Sequence, residues 1–270
     1  MSQAPTGGLG RVLIIAGSDS GGGAGVQADI RTVTALGGHA ASAITAVTVQ
    51  DTLGVHAIHP IPPAIIAAQI GVVLADIGAD AIKTGMLGDA DAIEAVLAAL
   101  ADYPDIPLVV DPVMVAKGGT SLLNPGALEV LRQLMARAVL VTPNAPEATA
   151  LTGLAIASTD DLRAAGERLL TSGVRAVLMK GGHVPGDSVI DLLITPDGET
   201  VLEGPRIDTR HTHGTGCTLA SACAVGLAQG LRLPDAVARA WAYTGEAIRR
   251  APGFGAGAGP LDHAWPVRER

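Results

Sequence analysis

The sequence predicts a single-domain α/β fold, with a mostly parallel central sheet and helices on both of its faces. Three observations lead to this prediction. The 270 residues suffice for one large domain, since a domain takes roughly 100–200 residues. Short apolar runs alternate with helical patterns, as in a parallel sheet with crossover helices. The first six runs are mostly apolar throughout, as strands covered on both faces are.

Strands and helices are predicted in alternation along the chain. The predicted strands are Arg11–Ala16, Ala43–Val49, Ala79–Lys83, Pro107–Val110, Val139–Thr142, Arg175–Met179, Ser188–Ile194 and Thr200–Ile207. The predicted helices are Gly25–Leu36, Pro63–Ile77, Ala90–Ala101, Pro125–Ala136, Ala145–Leu151, Thr159–Ser172, Thr215–Gly230 and Pro234–Arg249. The last two strands are separated by Pro196-Asp197-Gly198-Glu199, which predicts an antiparallel hairpin at a sheet edge. We expect the domain to span residues 11–263, between a flexible tail at 1–10 and a short polar tail at 264–270.

Composition and charge exclude several classes of protein. The chain is 48% hydrophobic and 16% charged, so it can bury enough apolar surface to fold. A net charge of −8 lacks the basic surface expected of a nucleic-acid binder or of a protein recruited to acidic lipid. Two cysteines make no disulfide framework, the N-terminus fits no secretory signal, and the apolar segment 64–75 is too short to span a bilayer. We therefore expect a soluble, cytoplasmic protein.

The first predicted strand leads into a glycine-rich loop, Gly17 to Gly25, and then into a helix. Five glycines in these nine residues favour close approach of a ligand to the backbone, with a flexible turn as the alternative. On the helix, Asp29 falls within the apolar stripe, so its carboxylate must either have a buried partner or face a ligand cavity. Gln50, at the end of the next strand, offers an amide at the same edge of the sheet.

Two carboxylates follow neighbouring strands, at the edge where open α/β sheets bind ligands. Asp111 ends one strand, and Glu147 lies three residues after Asn144 at the start of a helix. The spacing of Asn144 and Glu147 is also that of a capping box, which is the more frequent meaning of this motif alone. Together, Asp111 and Glu147 form the kind of oxygen-rich edge that holds Mg²⁺ through waters and substrate phosphates.

Lysine is scarce, and each lysine follows a strand or lies in a loop that contains glycine. The three are Lys83, Lys117 and Lys180. A solvated lysine at a strand end is the alternative for any one of them. Three lysines at one edge favour positions where a compact charge meets phosphate.

The strongest motif is Thr212-His213-Gly214-Thr215-Gly216-Cys217-Thr218, which opens a predicted helix. The backbone N–H groups of Gly214, Gly216 and Cys217 would form an anion site, aided by the helix dipole and suited to a transferring phosphoryl group. Cys217 lies in the first turn, where the pKa of a thiol tends to be lowered. Cys223 falls on the packed face and is predicted to be a core residue. His213 could act as a base, although a turn or capping role is more frequent at such a position.

These motifs resemble, in order and along about Val12 to about His263, the bacterial hydroxymethylpyrimidine/phosphomethylpyrimidine kinases of the ribokinase-like superfamily. The segments that carry the resemblance are AGSDSGGGAGVQADI, ITAVTVQDTLGV, IKTGMLGD, VVDPVMVAKGG, VTPNAPEA, VLMKGGH and DTRHTHGTGCTLASA. Sugar kinases and many vitamin kinases of the superfamily carry Asp where this chain has Cys217. Ser20 replaces a proline that many relatives have in the first loop.

The resemblance implies ATP-dependent phosphorylation of 4-amino-5-hydroxymethyl-2-methylpyrimidine to its monophosphate and then to its diphosphate, in thiamine biosynthesis. By position, Cys217 resembles the base that faces the hydroxymethyl group, within an anion hole that includes Gly214 and Gly216. The resemblance further implies ATP contacts at Asn144, Lys180 and Thr215, magnesium ligands at Asp111 and Glu147, and substrate contacts at Asp29, Gln50 and Met86 and at the backbone of Gly17, Ala24 and Val49. It also implies a homodimer.

Two alternatives stay open at this point. One is a pyridoxal kinase, since relatives with the same cysteine can act on vitamin B6 aldehydes. The other is a non-catalytic nucleotide or pyrimidine sensor, which would have no need of Asp111, Glu147, Lys180 and Cys217 together. None of the five aromatic residues lies in a motif, so we expect the pyrimidine to be held by hydrogen bonds and by aliphatic and methionine surface, with little ring stacking.

Overall fold

The protein is described here by a computed structural model, which covers residues 8–115, 119–120 and 122–268. The strands are β1 (Arg11–Asp19), β2 (His39–Gln50), β3 (Val55–Pro60), β4 (Ala81–Thr84), β5 (Leu108–Val110), β6 (Leu140–Val141), β7 (Val177–Met179), β8 (Ser188–Thr195) and β9 (Gly198–Pro205). The helices are α1 (Gly25–Ala35), α2 (Pro63–Asp76), α3 (Ala90–Ala99), α4 (Leu128–Arg137), α5 (Ala145–Thr152), α6 (Thr159–Thr171), α7 (Thr215–Ala228), α8 (Leu233–Arg249) and α9 (Trp265–Arg268).

The strands form one sheet in the order β3-β2-β1-β4-β5-β6-β7-β8-β9. The six strands from β2 to β7 in this order are parallel, while β3 pairs antiparallel with β2, and β8 and β9 continue antiparallel from β7. This confirms the mostly parallel sheet and the antiparallel hairpin at one edge. The sheet also has a second antiparallel edge, at β3.

Two apolar clusters cover the two faces of the sheet, as the all-apolar strands predict. One cluster packs α2 to α6 on the sheet through residues such as Ile70, Ile93 and Leu162. The other packs α1, α7 and α8 on the opposite face through residues such as Val33 and Cys223. Cys223 is fully buried, in agreement with its predicted place in the core.

The β3 strand is missing from the prediction because its sequence, Val-His-Ala-Ile-His-Pro, shows no apolar run. It lies at the sheet edge, and five of its six residues are exposed, so burial did not shape its composition. β1 extends three residues beyond the predicted end, because Ser18 and Asp19 pair with Val47 and Thr48 of β2. Gly, Ser and Asp are poor strand formers, and tertiary pairing overrides that preference here.

The two predicted tails differ in what the structure shows. Residues 1–7 of the N-terminal tail lie outside the described residues. In the C-terminal tail, Trp265 stacks on Tyr243 with ring centroids 6.0 Å apart, and the Arg250 guanidinium lies over its ring. This part of the polar tail therefore packs on the domain.

Candidate active site

Charged side chains meet where β5 and β7 end. Asp111 follows β5 directly and Lys180 follows β7, and the Lys180 Nζ lies 2.9 Å from Asp111 Oδ1 and 3.8 Å from Glu147 Oε2. The Thr142 hydroxyl, at the end of β6, donates to the same Asp111 oxygen at 3.0 Å. Burial alone would lower the pKa of Lys180, but the charges of Asp111 and Glu147 raise it. Lys180 is thus an ammonium, held by carboxylates on two adjacent elements.

Glu147 and Asn144 form the capping box that their spacing predicts. Asn144 Oδ1 accepts from the Glu147 N–H at 2.9 Å, and Glu147 Oε2 accepts from the Asn144 N–H at 2.8 Å. Burial raises the pKa of Glu147 to about 7, against the opposing effect of the Lys180 charge. The capping box does not exclude a second role, since it also fixes the Glu147 carboxylate beside Lys180.

The N-terminus of α7 faces these charges. Gly214 is the N-cap residue before α7, with φ of 85°, and a Cβ there would lie 1.8 Å from the Gly23 carbonyl oxygen, so this position requires glycine. A Cβ at Gly216 would lie 3.1 Å from Lys180 Nζ and 3.3 Å from Asp111 Oδ2. The Thr215 hydroxyl donates to the Thr212 carbonyl at 2.8 Å. Because the first N–H groups of a helix lack intrahelical partners, an anion beside Gly216 would meet both these groups and Lys180.

The predicted low pKa of Cys217 is wrong. Burial raises the pKa of this thiol to about 12, and the nearby carboxylates of Asp29 and Asp111 raise it further, against the opposing charge of Lys83 and a hydrogen bond from the Gly25 N–H. The helix N-terminus lowers the pKa of an exposed thiol. For the buried Cys217 thiol, the loss of solvation raises the pKa by more than the helix N-terminus lowers it. Cys217 is therefore a neutral thiol at pH 7.

Asp29 and Lys83 are both fully buried, and their side chains pair at 2.8 Å. The Ser221 hydroxyl donates to the other Asp29 oxygen at 2.7 Å. Of the two alternatives for Asp29, the structure therefore shows the buried partner, and in this arrangement Asp29 has no surface open to a ligand. The expectation that Lys83 meets phosphate is corrected likewise, because its ammonium is enclosed with Asp29 beneath α7. Lys117 lies outside the described residues.

A second polar group, formed by Asp19 and His213, lies at the loop that precedes α7. The Asp19 carboxylate, at the end of β1, accepts from the N–H groups of Gly21, Gly23 and Ala24 at 2.8 to 3.0 Å. His213 Nε2 lies 2.9 Å from Asp19 Oδ2. Burial opposes ionisation of Asp19, but the hydrogen bonds from His213 and the backbone hold its pKa below the ordinary value. His213 does more than end a turn, because it ties the loop before α7 to β1.

The predicted substrate contacts lie around this group. The Gln50 amide lies 3.1 Å from His213 Nε2. Gly17 faces Met86, whose sulfur would lie 3.0 Å from a Cβ at Gly17. The Val49 side chain is 58% exposed, and its backbone pairs with β3. Gln50, Gly17 and Met86 thus lie near the loop after β1, while Val49 turns its side chain to the outer face of the sheet.

Several residues of the site escaped the sequence prediction. Asp19 is the last residue of β1 and Thr142 directly follows β6, so their places at strand ends are a usable signal. Asp191 of β8 had no such signal: its buried carboxylate accepts from the Gly181 N–H at 2.7 Å and from the Trp241 indole at 3.1 Å. Asp191 thereby fixes the turn that follows Lys180.

The carboxylate pair fits a magnesium ion that is completed by phosphate and water. Asp111 Oδ1 takes the bonds from Thr142 and Lys180, and Oδ2 faces the space beside Gly216 that a Cβ would fill. Within the described ranges, no cluster of three or more His, Cys, Asp or Glu side chains could hold a metal by itself. Mg²⁺ needs no such cluster, since it commonly binds one or two carboxylates together with substrate phosphates.

Residues 19–262 match the family described as phosphomethylpyrimidine kinase. The chain belongs to this family. It is 50% identical over 97% of its length to the thiamine biosynthesis bifunctional protein of Geobacter sulfurreducens, of which it spans 54%. It is 49% identical to the hydroxymethylpyrimidine/phosphomethylpyrimidine kinase of Streptomyces coelicolor, over 96% of both chains.

Solved structures of vitamin kinases share the fold. The ADP complex of Bacillus subtilis pyridoxal kinase matches with a TM-score of 0.90 and 34% identity, over 97% of this chain and 100% of that one. A phosphomethylpyrimidine kinase from Clostridium difficile matches with a TM-score of 0.78 and 41% identity, over 88% of this chain and 99% of that one. The ribokinase-like fold predicted from the motifs is thereby confirmed. Across the described part of the chain, none of the helices is both long and apolar enough to cross a membrane.

Proposed function

We propose that this kinase uses ATP to phosphorylate 4-amino-5-hydroxymethyl-2-methylpyrimidine and then phosphorylates the resulting monophosphate to the diphosphate. One observation carries the proposal: Lys180, Asp111 and the first turn of α7 converge on the space in front of Gly216. That space is bounded by an ammonium, a carboxylate and helix N–H groups. A phosphoryl group in transfer needs this combination of positioning and charge stabilisation.

The residues around the first turn of α7 have different roles in phosphoryl transfer. Lys180 meets the phosphates of ATP as a fixed positive charge, because Asp111 and Glu147 keep it protonated and in place. The N–H groups of Gly216 and Cys217 stabilise the charge on the phosphoryl oxygens. Asp111 and Glu147 would hold a magnesium ion, which when bound neutralises phosphate charge and orients the phosphates.

Cys217 is the residue that receives the hydroxymethyl group. As a neutral thiol it can hold the substrate hydroxyl by a hydrogen bond, and its thiolate form can take the hydroxyl proton. The Lys83 charge favours that thiolate form. In the second phosphorylation the acceptor is a phosphate dianion, which brings no such proton, so Cys217 contributes less to that step.

Steady-state kinetics test the proposal against the pyridoxal kinase alternative, which the similar fold of the Bacillus subtilis enzyme keeps open. We expect kcat/KM with Mg-ATP to be higher for the pyrimidine alcohol than for pyridoxal. A higher value for pyridoxal would overturn the assignment of the substrate. The absence of ATP consumption with either compound would instead favour a binding protein without catalytic activity.

We also propose that the chain forms a homodimer through the outer face of the β2–β3 edge. In β2, Val47 and Val49 are exposed on either side of the buried Thr48, and their β3 partners His59 and Ala57 are exposed as well. Leu53 in the connecting turn is 66% exposed. Exposed apolar residues grouped in this way are typical of a protein interface. Light scattering after size-exclusion chromatography should give twice the chain mass, and Val49→Asp should lower it to the monomer mass.

A further inference from the structure

His213, Asp19, Gln50 and Thr48 form one hydrogen-bond network. The chemistry of these groups fixes its polarity, that is, which group donates and which accepts in each hydrogen bond. His213 Nε2 lies 2.9 Å from Asp19 Oδ2 and 3.1 Å from the Gln50 side-chain nitrogen. On its other side, the Gln50 amide lies 3.1 Å from the Thr48 hydroxyl, which also lies 2.8 Å from the Ser18 carbonyl oxygen. Each contact needs one donor and one acceptor, and the number of protons is limited.

The proton between His213 and Asp19 belongs to His213. Asp19 accepts from the N–H groups of Gly21, Gly23 and Ala24, so both of its oxygens already serve as acceptors and the carboxylate is ionised. An ionised carboxylate can only accept, and therefore His213 Nε2 carries a proton directed at it. A protonated Nε2 has no lone pair left for a second donor. The Gln50 nitrogen, which also carries protons, cannot be its stable neighbour.

The Thr48 hydroxyl, which is the other neighbour of the Gln50 amide, requires the same orientation of that amide. Its single proton is given to the Ser18 carbonyl, which can only accept, so towards Gln50 the hydroxyl oxygen is an acceptor. The Gln50 amide satisfies both neighbours after a half-turn about its last torsion. Its carbonyl oxygen then shares the Nε2 proton of His213 with Asp19 in a three-centre hydrogen bond, and its NH₂ group donates to Thr48.

We propose that His213 and Asp19 are positioning residues that fix this polarity of the Gln50 amide, and that the fixed amide selects an aminopyrimidine alcohol over an aldehyde of the pyridoxal type. The inference rests on the proposed function, because it takes the substrate to lie between Gln50 and Cys217. The His213 ring is itself fixed, since its Cδ2 would lie 2.5 Å from a Cβ at Gly23.

The selection follows from the order of groups on the substrate ring. The hydroxymethyl carbon at Cys217 neighbours the ring carbon that bears the amino group, and the next ring atom is an acceptor nitrogen. His213 lies two residues before the start of α7, so the carbonyl end of Gln50 lies on the α7 side and meets the amino group, while the NH₂ end meets the ring nitrogen. Pyridoxal carries a formyl group at the amino position, and its oxygen would face the Gln50 carbonyl. Two acceptors placed face to face leave both without a hydrogen bond, which weakens binding.

Nitrogen NMR of the histidine side chains tests the polarity without substrate and without turnover. In the intact protein labelled with ¹⁵N, assigned by comparison with His213→Gln, we expect a proton on Nε2 of His213 at pH 7. A His213 that carries its proton on Nδ1 with a bare Nε2 would overturn the inference, even in a fully active kinase. Conversely, a protein that phosphorylates neither compound would refute the proposed function, while the NMR result would still decide the polarity.

Substrate selectivity tests the consequence. In Asp19→Asn and in His213→Ala, the ratio of kcat/KM for the pyrimidine alcohol to that for pyridoxal should fall by about tenfold, mainly through KM for the pyrimidine. His213→Gln keeps an N–H donor in place and should restore most of the ratio. His211→Ala, two residues away and bonded to Gly259, is the matched control and should leave the ratio unchanged. Equal losses on both substrates, in whichever of the two disrupting variants folds, would indicate a purely structural role and overturn the inference.

Discussion

Asp29 and Lys83 form an ion pair that solvent does not reach. The two charged groups are 2.8 Å apart, and both side chains are 0% exposed. The pair joins α1 to β4, and Ser221 adds α7 to the same cluster. These three elements meet one helical turn below Cys217, so the pair supports the first turn of α7 from within the protein.

Removing one member of this pair should destabilise the protein strongly. In Lys83→Met the Asp29 carboxylate is left buried without its counter-charge, and we expect a loss of about 3–5 kcal/mol in the free energy of unfolding. The double variant Lys83→Met with Asp29→Asn removes both charges and should regain most of that loss. Urea denaturation measures both.

The exposed pair of Arg232 and Asp235 provides the control. Their side chains are 80% and 49% exposed, so Arg232→Met should change the free energy of unfolding by less than about 1 kcal/mol. A Lys83→Met variant as stable as Arg232→Met would show that the buried pair does not have the structural role assigned to it.

Gly216→Ala should remove activity while leaving the fold intact. The added methyl group would occupy the space between Lys180 and Asp111 in which we place the phosphoryl group. We expect kcat to fall by about 10²-fold or more, comparable to the loss of a donor to a transition-state oxyanion. Gly245 of α8 is the matched helical glycine, with open space around it. Gly245→Ala should gain about 0.5–1 kcal/mol of stability at unchanged kcat. Equal kcat for both variants would argue against this phosphate position.

Cys217→Ala should lower kcat for the first phosphorylation by about 10²–10⁴-fold, as the loss of a general base does, with little effect on ATP binding. Because the pKa of the thiol is about 12, wild-type kcat should rise towards alkaline pH, and the variant should lose this rise. Cys223→Ala, in the core away from the site, is the control and should keep the wild-type pH profile. Equal losses in both phosphorylation steps would contradict the smaller part assigned to Cys217 in the second.

The buried carboxylate of Asp191 should make stability fall between about pH 4 and pH 6. Burial raises its pKa from an ordinary 3.8 to about 6. A folded-state pKa above the unfolded value gives stability that is complete below the unfolded pKa and is lost as the pH rises through the folded pKa. Relative to Asp191→Asn, wild type should therefore lose on the order of 3 kcal/mol over this range. Asp197→Asn, in the exposed β8–β9 turn, is the control for charge removal. A wild-type pH profile parallel to that of Asp191→Asn would contradict the assigned pKa.

The sequence predicts the parallel core and the edge that carries the site because both depend on local patterns. Continuous apolar runs mark strands that are covered on both faces, and Asp111 and Lys180 follow such runs directly. The capping box of Asn144 and Glu147 is also a short-range motif, and its two hydrogen bonds are present.

What the sequence leaves open depends on contacts between distant segments. Asp29 and Ser221 are 192 residues apart, and Asp19 and His213 are 194 apart, so no periodicity links the members of either pair. The prediction of a low pKa for Cys217 is wrong for a related reason. The local effect of a helix N-terminus lowers the pKa of a thiol, but burial, which only tertiary packing creates, raises it by more. The β3 strand lies at an exposed edge, where burial leaves no apolar pattern to detect.

We expect this chain to transfer phosphoryl groups from ATP to a pyrimidine alcohol in two steps. Incubation with Mg-ATP and 4-amino-5-hydroxymethyl-2-methylpyrimidine, followed by mass spectrometry over time, tests it most directly. We expect the monophosphate to appear first and the diphosphate to follow, with Gly216→Ala forming neither at a comparable rate. Unchanged pyrimidine alcohol in the presence of folded wild-type protein would contradict the claim.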